Sequence, residues 1–194
     1  MTDYFIRPMH LSELKAFFKQ IEQDFPPDEY PPYEVMYTHL EERIQNGLVF
    51  CNQSIDLAYA ICADSHSNDH VLISQLAVFP EYRGQRIGSA FVSAICERYA
   101  HKQSILVEVE RPELAATLKD QNLRNLRIKF YENLGFYIIP NIEFSIWDVP
   151  MHLMALSYKT PVETLHQEIG QIIHQIYYSL MGQRFIHKLQ FRKL

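Results

Sequence analysis

Residues 71–99, VLISQLAVFPEYRGQRIGSAFVSAICERY, decide the fold. The apolar run Val71 to Phe79, rich in Val, Ile and Leu and too short to span a membrane, reads as a buried strand closed by Pro80. The chain turns between Glu81 and Gln85. From Arg86 the period becomes helical, with Ile87, Ala90, Phe91, Ala94 and Ile95 on one stripe and Ser89, Ser93, Glu97 and Arg98 mostly off it. A strand thus enters a Gly-containing turn that opens a helix. Such a turn attracts anions, because the first N–H groups of a helix lack partners within it and the peptide dipoles place partial positive charge there. Gly84 and Gly88 let backbone and ligand approach closely, and Arg83 and Arg86 add charge. No Lys-Ser/Thr pair follows the glycines and G-x-G-x-x-G is absent, so neither a P-loop nor a dinucleotide fingerprint is present. The expected ligand bears phosphate of another kind.

The residues Leu76-Ala77-Val78, Pro80 and Arg83-Gly84-Gln85-Arg86-Ile87-Gly88 resemble the acyl-CoA motif Arg/Gln-x-x-Gly-x-Gly/Ala of the GCN5-related N-acetyltransferases, the GNAT superfamily. Arg86 stands where that family most often has Gly. It still supplies an amide N–H, but a left-handed backbone there would be strained. Downstream, Arg127 to Phe136, RIKFYENLGF, is similar to the family's Phe-Tyr-x-x-x-Gly-Phe segment, a helix ending at a Gly before the next strand. Two motifs in the right order are far more specific than either alone.

At 194 residues the chain is of single-domain size. Its net charge of −5 argues against a general binder of nucleic acid or anionic membrane. Cys51, Cys62 and Cys96 all sit in apolar stretches, which suits buried thiols in a reducing compartment. The start, MTDYFIRPMH, lacks a signal peptide's apolar stretch, and no uninterrupted apolar run reaches about 18 residues. The reading is a cytoplasmic protein. Asn52-Gln53-Ser54 matches a glycosylation sequon, which has no meaning without secretion.

Along the chain, Tyr4 to Arg7 predicts a short strand, and Leu11 to Gln23 a helix behind a Ser12 cap. FPPDEYPPY, residues 25–33, is a loop because its prolines remove donors and fix φ. Tyr33 to Gln45 predicts a helix stopped at Asn46-Gly47, and Leu48 to Cys51 with Ile55 to Ala63 a hairpin. Ser104 to Glu110 reads as a strand, Arg111 to Gln121 as a loop or short helix, and Asn122 to Leu134 as the second motif's helix. Phe136 to Ile142 and His152 to Tyr158 are expected strands, with Glu143 to Pro150 between them. Thr160-Pro161-Val162-Glu163 reads as a capping box opening a helix whose stripe is Leu165, Ile169, Ile172, Ile173, Ile176, Tyr177 and Leu180. This order is that of the GNAT fold: α/β, a mixed central sheet of about seven strands flanked by helices. The resemblance covers residues 1–158 as the acetyltransferase domain, with 159–194 as an added helical extension packed on it.

The resemblance implies acetyl transfer from acetyl-CoA to an amine. The edge at Leu76, Ala77 and Val78 would pair with the pantetheine amides, and the turn from Arg83 to Ser89, including Gly84, Gln85, Arg86, Ile87 and Gly88, would hold the pyrophosphate. Tyr131 matches the family's catalytic Tyr, a phenol suited to protonating the departing thiolate. Glu108 and Glu110, two apart on a strand, share a face. They either take the amine's proton through water or form a solvated pair near the strand end. No metal is expected, because His66, His70, His101, His152, His166, His174 and His187 lack ligand spacing.

From Glu22 to Glu42 there are seven acids and no Lys or Arg. In the family the loop here borders the acceptor groove, so Asp28 and Glu29 would attract amines, with Tyr30, Tyr33, Phe144 and Trp147 walling the pocket. The alternative is a solvated charged face. After Gly182, Arg184, Lys188, Arg192 and Lys193 interleave with Phe185, Ile186, Leu189 and Phe191. That tail either docks on a second subunit in a homodimer or is a loosely attached end. The alternative to an enzyme is a non-catalytic acyl-CoA-binding regulatory module on the same fold.

Overall fold

The computed structural model describes residues 4–53, 55–65, 67 and 69–194, so Ser54 of the sequon and His66 lie outside the described residues. Contacts divide the chain into two compact units, Met1–Asp64 with Ile73–Arg98 and Ser65–Leu72 with Tyr99–Leu194.

The first unit carries β1 (Tyr4–Pro8), α1 (Leu14–Asp24), α2 (Tyr33–Glu41), β2 (Gln45–Asn52), β3 (Ile55–Asp64), most of β4 (His70–Val78) and α3 (Ile87–Arg98). β1 pairs antiparallel with β2, and β2 with β3. The alternation along β2 and β3 sorts their residues between two helical layers. Val49, Cys51, Tyr59 and Ile61 receive Leu14, Phe17, Phe18 and Ile21 of α1 and Met36 of α2. On the other face Phe50 stacks on Phe91 of α3 with ring centroids 5.0 Å apart. Each of these buried large side chains contributes about 1.5–3 kcal/mol.

Two local expectations fail here for identifiable reasons. Ser12 does not cap α1, because it already lies inside a 3-10 turn, Leu11–Glu13; the His10 N–H donates instead to Glu13 at 2.9 Å. Arg7 anchors the same carboxylate at 2.8 and 2.9 Å. Asn46-Gly47 does not end α2. The helix stops at Glu41 with Arg43 in a left-handed conformation, φ 60°, and Gly47 lies within β2, where a Cβ would come within 2.7 Å of the Met9 Cβ. The glycine serves close packing of two chain segments rather than a helix end.

The second unit carries β5 (Ser104–Glu110), α4 (Leu118–Glu132), β6 (Tyr137–Ile138), β7 (Ile142–Ile146), β8 (Val149–Ser157), α5 (Val162–Phe185) and β9 (Leu189–Lys193). β8 pairs antiparallel with β5, β6 and β7. Nine strands form among the described residues rather than about seven, for two reasons. The segment expected to link two strands is itself a hairpin, since Trp147 and Asp148 adopt φ of 50° and 65° and reverse the chain as a type I′ turn. The basic tail is also a strand: β9 pairs antiparallel with β7 of its own chain, from Ile142↔Lys193 to Ile146↔Leu189. It is therefore not a loose end.

α4 begins four residues earlier than its apolar period indicates, because the Thr117 hydroxyl accepts the Asp120 N–H at 3.1 Å and fixes the first turn. At α5 the expected capping box does not form. Pro161 takes the cap position, and the Thr160 hydroxyl donates to the Gln103 side chain at 2.9 Å. Gly170 of α5 faces the Phe191 ring of β9, where a Cβ would lie 2.6 Å from the nearest ring carbon. Gly170→Val is therefore expected to destabilise the protein by about 1–3 kcal/mol, the cost of overpacking. It should also release β9, which limited proteolysis detects as early cleavage after residue 185, alongside a lowered melting temperature.

The buried histidines are structural. His70 Nδ1 lies 2.8 Å from the Ser104 hydroxyl, and burial holds its pKa below the ordinary value. His39 lies 3.1 Å from the Gln45 side chain.

Candidate active site

In the first unit the turn after β4 is built from both ends. The Phe79 N–H donates to the Leu57 carbonyl at 3.0 Å, and Pro80–Tyr82 forms a 3-10 turn. Arg83 folds back, donating from Nε to the Val78 carbonyl at 2.9 Å and from Nη2 to Asp24 at 2.6 Å. Asp24, the last residue of α1, also accepts the Tyr59 hydroxyl at 2.8 Å, and its side chain is only 7% exposed. The carboxylate also accepts from Gln20 Nε2 at 3.1 Å, and with three donors it holds this guanidinium more firmly than a fully exposed ion pair would. Its negative charge, after burial, also pushes the Tyr59 phenol above its ordinary range.

Gly84 then takes φ 76°, with no atom within 4 Å of where a Cβ would stand, so the space above the turn is open. Arg86 takes φ 62°, and its carbonyl receives the Ala90 N–H at 3.1 Å. The N–H groups of Ile87, Gly88 and Ser89 fall in the first turn of α3, the end of a helix that lacks internal acceptors. A left-handed conformation costs a non-glycine residue about 1–2 kcal/mol. Strain of this kind persists where the surroundings over-determine it. Arg86→Gly should stabilise the ligand-free protein by about 0.5–1 kcal/mol after glycine's extra unfolded-state entropy is subtracted. Thermal unfolding measures this, and a lowered melting temperature would contradict the strain.

Leu76, Ala77 and Val78 are half-buried at the end of β4. Beside them Gln75 is buried. Its amide donates to the Glu29 carbonyl at 2.9 Å, while its Oε1 has no hydrogen-bond partner. The segment containing Asp28 and Glu29 is thereby tied to β4. Asp28 is exposed, and Tyr30 and Tyr33 stand edge-on to Phe18 with centroids 5.6 and 5.4 Å away.

In the second unit Tyr131 lies one residue before the end of α4, its ring between Phe130 at 5.0 Å and Phe136 at 5.4 Å. Its carbonyl receives the N–H groups of Leu134 and Phe136, and Gly135 at φ 90° completes the reversal. Glu108 and Glu110 share a face of β5 but keep different company. Glu110 pairs with Arg124 at 2.9 Å and Arg127 at 3.1 Å. Glu108 receives the Tyr177 hydroxyl at 2.8 Å from each of its oxygens. Trp147, 40% exposed, packs on Phe185 at 5.6 Å, whereas Phe144 is buried. A pocket of about 450 Å³ opens beside α4, lined by Glu113, Gln121, Lys129, Glu132 and His152 among others.

Asp24, Gln75 and Tyr177 escaped the sequence reading. Asp24 was only one of a run of acids and Tyr177 one of a helical stripe, and both gain their partners through tertiary contacts. Among the described residues no group of three or more His, Cys, Asp or Glu is placed to hold a metal, and no helix is long and apolar enough to cross a membrane.

The fold is that of the GNAT acetyltransferases. A putative acetyltransferase of that family from Bacteroides thetaiotaomicron superposes with a TM-score of 0.74 at 20% identity, over 90% of this chain and 98% of the other. The ribosomal-protein-S18-alanine N-acetyltransferase of Escherichia coli gives 0.60 at 19% identity, over 82% and 96%. The spermidine N-acetyltransferase of Vibrio cholerae, solved with CoA and spermine, gives 0.61 at 11%, over 81% and 97%. No curated protein matches the sequence. Residues 45–138 match the model of the acetyltransferase (GNAT) domain.

Proposed function

We propose that the protein transfers the acetyl group of acetyl-CoA to a primary amine. The observation that carries this reading is the turn from Arg83 to Ser89: an open glycine, a cation and the first N–H groups of α3, all suited to a pyrophosphate. The half-buried backbone of Leu76 to Val78 offers hydrogen-bonding groups to the pantetheine amides. The neutral amine attacks the acyl carbon, the C–S bond breaks, and the Tyr131 phenol gives its proton to the departing thiolate. Glu108, through water, accepts the proton that the amine loses, and Glu110 supports the same strand face. Cysteines outside disulfides fit a reducing cytoplasm: burial, then Asp56, pushes Cys51 up to about 11, which keeps it protonated and unreactive.

Asp28, Glu29, Tyr30, Tyr33 and Trp147 are assigned to the acceptor. Reversing Asp28 and Glu29 to Lys should raise KM for a cationic acceptor about tenfold, an effect that shrinks as salt is added. An unchanged KM would leave these acids as ordinary surface. The test of the whole reading is calorimetric titration with acetyl-CoA, followed by thiol release against a panel of amines. Binding with acceptor-dependent release supports the enzyme. Binding without release against the whole panel favours an acyl-CoA-binding regulatory module, and no binding removes the phosphate assignment.

A further inference from the structure

We infer that Tyr177, on the C-terminal helix α5, is a positioning residue for acetyl transfer: its phenol holds the Glu108 carboxylate in the orientation from which that group takes the acceptor's proton. The inference rests on the acetyl-transfer reading above.

Its basis is geometric. The hydroxyl lies 2.8 Å from both Oε1 and Oε2 of Glu108, so one donor bridges the carboxylate and restricts its rotation. An ionised carboxylate only accepts, so the phenol is the donor, and such charge-assisted bonds are short and strong. The ring is itself fixed, buried in the apolar stripe of α5 beside Ile173 and Ile176, with Phe144 of β7 at 6.5 Å.

The chemistry separates the two acids. Glu110 is held by two guanidinium groups of α4, Arg124 and Arg127. Glu108 accepts from the Tyr177 phenol, which bridges its two oxygens and orients the carboxylate. Burial, then the nearby Glu108 charge, holds the Tyr177 phenol well above its ordinary value, so it stays protonated and remains a donor at every working pH. Of the other titratable groups around this face, Glu110, Arg124 and Arg127 lie alongside, while His152 of β8 is opposite Val109 and therefore on the other face. The extension after residue 158 thus supplies a side chain to the candidate site.

The test uses the full chain, with Tyr177→Phe, Glu108→Gln, the double variant, and Tyr178→Phe as a control for α5. The carboxyl resonance of Glu108, labelled with carbon-13 and identified by its loss in Glu108→Gln, is titrated without any acceptor. The acid limb of kcat/KM is then measured with acetyl-CoA and spermidine. Losing a donor to the charged form raises a carboxylate's midpoint, so Tyr177→Phe should move both the resonance midpoint and the acid limb up by about one pH unit. Tyr178→Phe should move neither, and Tyr177→Phe should cost nothing further in kcat once Glu108 is Gln. An unmoved resonance midpoint overturns the inference, as does a moved midpoint with an unmoved acid limb. If the wild type releases no thiol with any amine of the panel, the acetyl-transfer reading fails, a result separable from the titration.

Discussion

Tyr131→Phe is expected to lower kcat by about 10²- to 10⁴-fold, the usual contribution of a positioned general acid. The affinity for acetyl-CoA should stay within about twofold of the wild type. The substitution is clean because the ring keeps its packing: Phe130 and Phe136 contact an aromatic face that phenylalanine retains. The backbone that ends α4 also survives, since the hydrogen bonds from Leu134 and Phe136 go to the Tyr131 carbonyl. The side chain loses its hydroxyl and keeps its ring. Steady-state turnover beside calorimetric titration separates chemistry from binding, and equal turnover would remove Tyr131 from the mechanism.

The second large effect is expected at Gly88. Leucine there keeps helical backbone geometry in the first turn of α3 but fills the space that a phosphate would approach. Acetyl-CoA affinity should fall by at least about 100-fold, or about 2.7 kcal/mol. Thermal unfolding gives an independent measure. Acetyl-CoA at about 100 times its Kd stabilises the wild type by about 2.7 kcal/mol, and the same concentration should leave Gly88→Leu nearly unmoved. Full protection of the variant would overturn the assignment of the turn.

The strand, turn and helix from His70 to Arg98 could be read from sequence because a continuous apolar run and a 3.6-residue period meet across Pro80 and a pair of glycines. β5 was equally plain, its bounds at Ser104 and Glu110 matching the run of β-branched and apolar residues. Other elements hid because their signals are tertiary or weak. Leu118, Leu123 and Leu126 of α4 are exposed, so the helix lacks a clear apolar stripe and its start was misplaced. The hairpin at Trp147-Asp148 lacks the Asn-Gly or Asp-Gly dipeptide that usually marks a type I′ turn. β9 did show alternation, Leu189 and Phe191 against Gln190 and Arg192, yet five residues cannot identify a strand without the edge that receives them. The contact between Glu108 and Tyr177 spans 69 residues and depends on how α5 returns to β5.

Asp24 has a consequence for the order in which substrates meet the protein. It closes α1, directly precedes the acidic loop assigned to the acceptor, and shares its carboxylate among Gln20, Tyr59 and Arg83. A ligand that draws Arg83 toward its own charge therefore alters the tether of that loop. Linkage makes this reciprocal: whatever factor one substrate applies to the affinity of the other is returned unchanged. On the proposed assignment of the two sites, one carboxylate would couple donor and acceptor, so that saturation with one ligand would reset the dissociation constant of the second.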